Sequence, residues 1–392
     1  MKILILSFNY PPDIGPGALR ASSIVDALLE VSDNITQIDV LTTMPNRYHT
    51  LTVNAASMER INPVFIQRIT LPKHQNGTID QARAFMAFAQ GVYSATKGKK
   101  WDIIVATSSR LMTAALAAWL SKHSKTTLYL DIRDLFTDTI GEVLANNFLR
   151  VLLPIFKTIE YYSFRAANQL NAVSAGFIPH INKVAPHLKP TILTNGIDDT
   201  FLNTDFSSKF NSEKPLIVYA GNIGDGQGLQ HIIPQAAQKL NKSFRFRIIG
   251  DGGRKKILKR LLMDEKIENV ELIDPIPRKE LFSHYREADI LFLHLNDFKA
   301  FRKVLPSKIF EYAATEKPIL AGVSGYASKL LCEQIPGVEI FNPCDSRSMS
   351  TALSKLMEGP VRINRSSFCK KYSRKKIMRE LAKNILSTSN QS

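Results

Sequence analysis

In the stretch VLPSKIFEYAATEKPIL (304–320), Glu311 follows Lys308 by three residues. Pro306, Ser307 and Lys308 form a turn into an apolar, helix-like run, and Lys317-Pro318 ends it. Residues three apart share a helix face, so the cation and the anion sit together at a helix start. A helix N-terminus attracts anions through its free N–H groups and its dipole. The chemistry on offer is therefore the holding of an anionic or polar ligand. A plain helix start with a surface Lys and a first-turn Glu would carry the same residues, so the rest of the chain has to decide.

The surrounding pattern is an alternation of strands and helices. KILILSF (2–8) reads as a fully buried strand. The loop NYPPDIGPGALRA and a helix follow it. QIDVLTT, VFIQRIT, WDIIVATS, TTLYLDIRD, QLNAVS and TILTNGID read as further strands, and QARAFMAFAQGVYSATKG, RLMTAALAAWLSKH and FLRVLLPIFKTIEYYSFRAAN as helices. At LIVYAGNIGDGQGLQHII the order strand, glycine loop, helix begins again. Such alternation predicts parallel sheets covered by helices on both faces, and two beginnings predict two domains. The predicted division is 1–198, 199–371 and a C-terminal helical segment 372–392, with polar 199–214 as linker. In open parallel sheets ligands bind at the carboxyl ends of the strands. Neither glycine loop is GxGxxG and neither is followed by an acidic residue at the dinucleotide spacing, so dinucleotide binding is weakly supported.

Composition narrows the partners. The 392-residue chain carries 51 Lys and Arg against 35 Asp and Glu, a net charge of +16. That balance calls for an anionic partner: a phosphorylated substrate, an anionic membrane surface or a nucleic acid. Nucleic acid would call for aromatics interleaved with cations on a strand platform, or a recognition helix, and neither is visible. The three cysteines, Cys332, Cys344 and Cys369, lie far apart, and the eight histidines show no metal spacing. No run approaches the ~18 apolar residues of a membrane span. The expectation is a cytoplasmic protein with at most peripheral membrane contact.

The order FNYPPDIGPGALRA, NAVSAG, LTNGID, VYAGNIGDGQGL, IIGDGG and LPSKIFEYAATEKPIL resembles the family 4 glycosyltransferases, retaining enzymes of the GT-B fold. The bacterial branch that builds O-antigen and capsular polysaccharides is the most similar, and the likeness runs over nearly the whole chain. It implies an α/β architecture of two Rossmann-like, doubly wound parallel-sheet domains facing across a cleft. The activity implied is transfer of a sugar from a nucleotide-sugar donor to a sugar on a polyprenyl diphosphate at the inner membrane face. No cofactor or metal is implied, and no protein nucleophile, since the departing phosphate is thought to assist the acceptor.

By this resemblance Glu311 holds the ribose hydroxyls, a role that suits a carboxylate accepting two hydrogen bonds from a vicinal diol. Ser307 precedes it on the same helix start, and Lys308 lies near the phosphates. Gly15 and Gly17 from the first domain, and Gly221 and Gly224 from the second, let backbone approach the donor. Gly250, Asp251 and Gly252 lie near the base. The chain departs from the family where a second Glu is usual, at Lys303, and where an Arg and a Lys are usual, at about Asn222 and Gln227. Lys303, Lys308 or Arg302 would then meet the charge on the leaving diphosphate. In LDIRDLF, Asp131, Arg133 and Asp134 interrupt an apolar run. Buried charge is costly unless paired or functional, so Arg133 and Asp134 read either as sugar or acceptor contacts or as a local ion pair.

The basic segments KGKKW (97–101) and FLRVLLPIFK (148–157) mix cations with apolar groups, which suits a membrane interface as well as a solvated face. The donor preference is a UDP-linked deoxy-amino sugar such as N-acetyl-L-fucosamine, with a GDP-sugar second. A nucleotide-sugar epimerase of the same fold, and a basic nucleic-acid-binding protein, are the competing readings.

Overall fold

The computed structural model describes residues 1–13, 15–45, 54–72, 78–108, 110–143, 151–208 and 213–389. The chain forms two compact units, one of Met1–Asn195 with Arg374–Ser392 and one of Gly196–Ser373. These divisions fall a few residues from those read off the sequence.

Among the described residues, the first unit contains strands β1 (Lys2–Ser7), β2 (Gln37–Thr43), β3 (Met58–Ile61), β4 (Val64–Ile69), β5 (Ile103–Ser108), β6 (Thr127–Ile132), β7 (Gln169–Ala172) and β8 (Thr191–Ile192). They lie in the order β3-β4-β2-β1-β5-β6-β7-β8. All pairings are parallel except that of β3 with β4. Ile3, Leu4, Ile5 and Leu6 of β1 are completely buried, as a strand covered on both faces requires. The sequence pattern did not reveal β3, because MERI is a short edge strand that leaves Met58 and Ile61 exposed. The helix Pro16–Val31 packs against the helix Arg374–Ser389. Glu30 on the first helix pairs with Lys375 and Arg379 on the last.

The second unit contains β9 (Leu216–Ala220), β10 (Arg245–Ile249), β11 (Val270–Ile273), β12 (Ile290–His294), β13 (Ile319–Gly322) and β14 (Val338–Phe341). All run parallel in the order β11-β10-β9-β12-β13-β14. Alternate residues of β9 serve opposite faces. Val218 and Ala220 join one buried cluster, while Ile217 and Tyr219 join the other. Strand order reverses between β9 and β12, so the loop after β9 lies at the switch point where such sheets bind ligands. In the first unit the corresponding reversal is between β1 and β5.

Two expectations are corrected. The segment 199–214, read as a linker, belongs to the second unit where it is described. Asp198 caps a short helix, Asp199–Leu202, and Phe201 and Phe206 are buried against Phe282 and Tyr285. Two phenylalanines in a polar stretch were the signal of burial, outweighed by the polar count. The long helix read over FLRVLLPIFKTIEYYSFRAAN is described as Leu153–Arg165, and residues 148–150 lie outside the described residues.

Candidate functional site

In the second unit the loops after β9 and β10 are joined backbone to backbone. Gly221 N–H donates to Ile249 O at 2.9 Å and Ile223 N–H to Asp251 O at 2.8 Å. A Cβ on Gly250 would stand 1.9 Å from Gly221 O, and one on Gly252 would stand 2.5 Å from Ile223 O. Only glycine allows that approach. Within the first loop Asn222 Nδ2 donates to Gln227 Oε1 at 2.7 Å, and a Cβ on Gly224 would meet Asn222 Nδ2 at 2.5 Å. Asp251 Oδ1 accepts from Gly252 N–H at 2.8 Å. Gly228 (φ 61°) leads into the helix Leu229–Lys239 with no side-chain cap. The loop therefore presents a helix start suited to an anion.

Behind this loop, Asn296 N–H donates to Gly226 O at 2.9 Å and Asn296 Nδ2 to Asp225 O at 2.9 Å. His294, only 1% exposed, lies with Nδ1 2.6 Å from Gln227 O. Its Nε2 accepts from Cys344 N–H at 2.9 Å, so Nδ1 carries the proton. Burial pushes its pKa down to about 4, against the pull of the Gln227 carbonyl. Sequence reasoning assigned His294 no role; the structure makes it a strut of the glycine loop.

Glu311 lies on the short helix Lys308–Ala314. Lys308 Nζ donates to Glu311 Oε2 at 2.7 Å and to Tyr285 OH at 3.0 Å. Burial pushes the Lys308 ammonium down, but the Glu311 carboxylate outweighs it and its pKa stands above the ordinary value. The next residue, Tyr312, accepts from Ala220 N–H at 3.3 Å, tying this helix to the end of β9. Ser307 precedes the helix and makes no capping hydrogen bond. Lys303 ends the turn Lys299–Lys303, whose Phe301 ring lies 3.0 Å from where a Gly226 Cβ would be. Arg302 Nη2 lies 3.6 Å from Asp297 Oδ1. The structure thus joins Gly221, Asn222, Gly224, Gln227, Gly250, Asp251 and Gly252 at the carboxyl ends of β9 and β10, and Tyr312 ties the helix that carries Lys308 and Glu311 to the end of β9.

In the first unit, Arg133 follows β6 with its N–H bonded to Ser108 O at 2.9 Å. Its Nη1 lies 2.5 Å from where a Gly17 Cβ would be, so Gly17 admits the guanidinium to the first turn of the helix Pro16–Val31. Gly15 precedes that helix and offers no side-chain cap. Asp134 is exposed. Desolvation by the protein packed around it raises its carboxyl to about 6, with Arg133 pulling the other way. Asp131 separates from its two neighbours. It is fully buried and receives Arg20 through two hydrogen bonds of 2.7 Å, with Thr107 and Asn171 each at 2.8 Å. Arg20 also donates to Thr194 O and Leu193 O, so the pair closes the fold. Sequence reasoning missed Arg20, whose signal was a lone charge among the apolar residues of ALRA.

One surface expectation changes. Trp101 of KGKKW is 8% exposed and donates from Nε1 to Asp39 Oδ2 at 2.6 Å, so it anchors the fold and cannot meet a membrane. The helix Leu153–Arg165, by contrast, leaves Ile155 and Tyr161 exposed, with Val151 just ahead of it. Among the described residues no helix is long and apolar enough to cross a membrane, and no cluster of His, Cys, Asp and Glu could hold a metal ion.

Comparison with known proteins gives three findings. Residues 201–376 match the family model Glycosyl transferases group 1. The putative colanic acid biosynthesis glycosyl transferase WcaI of Escherichia coli (strain K12) is 27% identical over 128 residues, 32% of this chain. The match spans about a third, 31%, of that relative's length. Sucrose-phosphate synthase from Thermosynechococcus elongatus superposes with a TM-score of 0.72 at 11% identity, covering 100% of this chain and 97% of that one. Anabaena HepE in complex with UDP gives 0.60 at 14% identity, covering 100% and 98%. At these identities the solved structures speak to the fold, and the fold is the two-domain GT-B architecture.

Proposed function

We propose that this chain, which carries a group 1 glycosyl transferase domain over residues 201–376, is a retaining glycosyltransferase of polysaccharide synthesis. Its donor would be a UDP-sugar, with N-acetyl-L-fucosamine the preferred sugar and a GDP-sugar second. Its acceptor would be a saccharide on a polyprenyl diphosphate. The observation that carries this reading is the placement of Glu311. Its helix is tied by Tyr312 to the end of β9, where the glycine loop begins at the switch point of the sheet. The names of WcaI, a colanic acid glycosyl transferase, and of HepE, solved with UDP, are in keeping with it.

In this reading Glu311 holds the ribose hydroxyls, a pairing that charge-assisted hydrogen bonds favour. The start of the helix Leu229–Lys239 and the loop before it, whose close approach Gly221 and Gly224 permit, hold the diphosphate. The loop Gly250–Gly252 lies beside the base. Lys303 and Lys308 meet the negative charge that grows on the leaving diphosphate, which is where preorganised cations lower a barrier most. Arg133 and Asp134 of the first unit serve the sugar or the acceptor, and Gly15 and Gly17 let backbone approach the donor. No metal is assigned a part.

The helix Leu153–Arg165 supports peripheral docking at the inner membrane face, because exposed Ile155 and Tyr161 lie among Lys157 and Arg165. The test is purified protein screened for thermal stabilisation by UDP, GDP and ADP, then assayed with the sugar donor and with or without lipid-linked acceptor. A ligand bound by the folded state raises apparent stability. Transfer dependent on acceptor is the expected result. Sugar-nucleotide conversion independent of any acceptor would favour an epimerase instead.

A further inference from the structure

We infer that Arg254, oriented by Asp225, is a ligand-binding residue of the second unit and takes a diphosphate through its two Nη groups. Arg254 opens the helix Lys255–Asp264 immediately after the glycine turn that follows β10. Its backbone N–H donates to Ile223 O at 2.9 Å, which fixes residue 254 against the loop after β9. Its Nε donates to Asp225 Oδ1 at 2.5 Å, and Asp225 lies between Gly224 and Gly226 in that same loop. Asp225 is itself held, its carbonyl accepting from Asn296 Nδ2 at 2.9 Å. Both side chains are partly exposed, 39% for Arg254 and 38% for Asp225.

A guanidinium carries five donors in a fixed plane. With Nε committed to Asp225, the described residues offer no partner to the Nη groups of this partly exposed side chain. A planar fork of that kind matches two oxygens of a phosphate. The other cations of the region are engaged differently. Lys308 reaches Glu311 and Tyr285, Arg302 lies near Asp297, and Lys255 Nζ donates to Gly250 O at 2.7 Å and Asp274 Oδ1 at 2.6 Å. At the two side-chain positions of the loop that point toward each other, Asn222 and Gln227, only neutral amides stand. Arg254 therefore supplies full positive charge where the loop supplies backbone dipoles. The inference rests on the reading of this unit as a nucleotide-sugar site and adds to Lys303 and Lys308 a further residue that meets the phosphates.

The experiment is calorimetric titration of the full chain with UDP and with uridine, for the wild type and for Arg254→Ala, Arg254→Lys and Arg260→Ala. Arg260 is the control, since it lies on the same helix paired with Asp264. The expected result is a UDP affinity at least tenfold weaker in Arg254→Ala, with uridine affinity unchanged. Arg254→Lys should recover part of the loss, because a lysine keeps the charge but not the fork. Arg260→Ala should match the wild type. Equal UDP affinity in wild type and Arg254→Ala overturns the inference and leaves the function standing. Equal weakening of UDP and uridine also overturns it, since that marks a loop that has lost its shape. A wild type that binds none of UDP, GDP and ADP overturns the function and the inference together.

Discussion

His294 Nδ1 lies 2.6 Å from Gln227 O, so a neutral, buried imidazole holds the glycine loop of the second unit from behind. Its other nitrogen accepts from Cys344 N–H, a bond that a second proton would destroy. Unfolding restores its ordinary basicity, so below the usual imidazole value of 6.5 the unfolded chain takes up a proton that the folded one refuses until about 4. The contribution is full above the first value and is lost as pH falls toward the second, roughly 3 kcal/mol over the window. Denaturant titrations at pH 7 and 4.5 should show a larger loss for the wild type than for His294→Gln. An equal loss in both would remove His294 from the account.

Glu311→Ala should weaken UDP binding by roughly 1.5–3 kcal/mol, the range for hydrogen bonds to a charged group. Isothermal titration reads this directly. The same change strips Lys308 of its carboxylate partner, so the Lys308 pKa should fall. A calorimetric affinity equal to wild type would take the ribose role from Glu311.

Asp134 predicts opposite effects on stability and activity. Desolvation raises its folded carboxyl to about 6 from the ordinary value of 3.8, so folding favours the protonated form. Stability tied to this group is present below the lower value and is lost as pH rises through the higher one. Asp134→Asn should therefore raise the melting temperature at pH 7 more than at pH 4, while lowering turnover. A variant less stable at pH 7 would mean that the carboxylate is needed for folding.

Lys303→Ala and Lys308→Ala should each lower kcat more than they raise KM, because the charge they meet grows in the transition state. Turnover should persist in EDTA, since the cations and backbone dipoles are assigned the work a metal would do. Near-wild-type kinetics in both lysine variants, or activity that returns only with Mn²⁺, would break that assignment.

Binding to vesicles should rise with anionic lipid at about 1 kcal/mol per well-placed cation and fade with salt. Ile155→Asp, and separately Lys97, Lys99 and Lys100 changed to Glu, should each reduce co-sedimentation. Lys370, Lys371, Arg374, Lys375 and Lys376 serve as the control cluster. Neutral vesicles bound as well as anionic ones would assign the basic surface another purpose.

The strands were legible because burial on both faces leaves a continuous apolar run, as in β1, β5 and β12. β3 was not, since an exposed edge strand needs no such run. The spacing of Lys308 and Glu311 showed that they share a face, but not that Tyr312 ties that face to Ala220. That tie joins residues far apart in the chain and leaves no local pattern. Arg254 stayed hidden because GDGG reads as any turn until its backbone is seen against Ile223. Trp101 misled in the other direction, for composition cannot tell a tryptophan beside lysines from one bonded to Asp39.

The helix Arg374–Ser389 completes the first unit after the whole of the second has been threaded. On the ribosome this reverses the usual order of maturation. Residues 196–373 form one contiguous stretch, with Ile197 bridged to Ser373 at its two ends, and can close as soon as they emerge. The first unit, begun earlier, must wait for its last helix before Glu30 finds Arg379 and Tyr129 OH finds Asn384 Oδ1 at 2.7 Å. During synthesis the half born first is the half finished last.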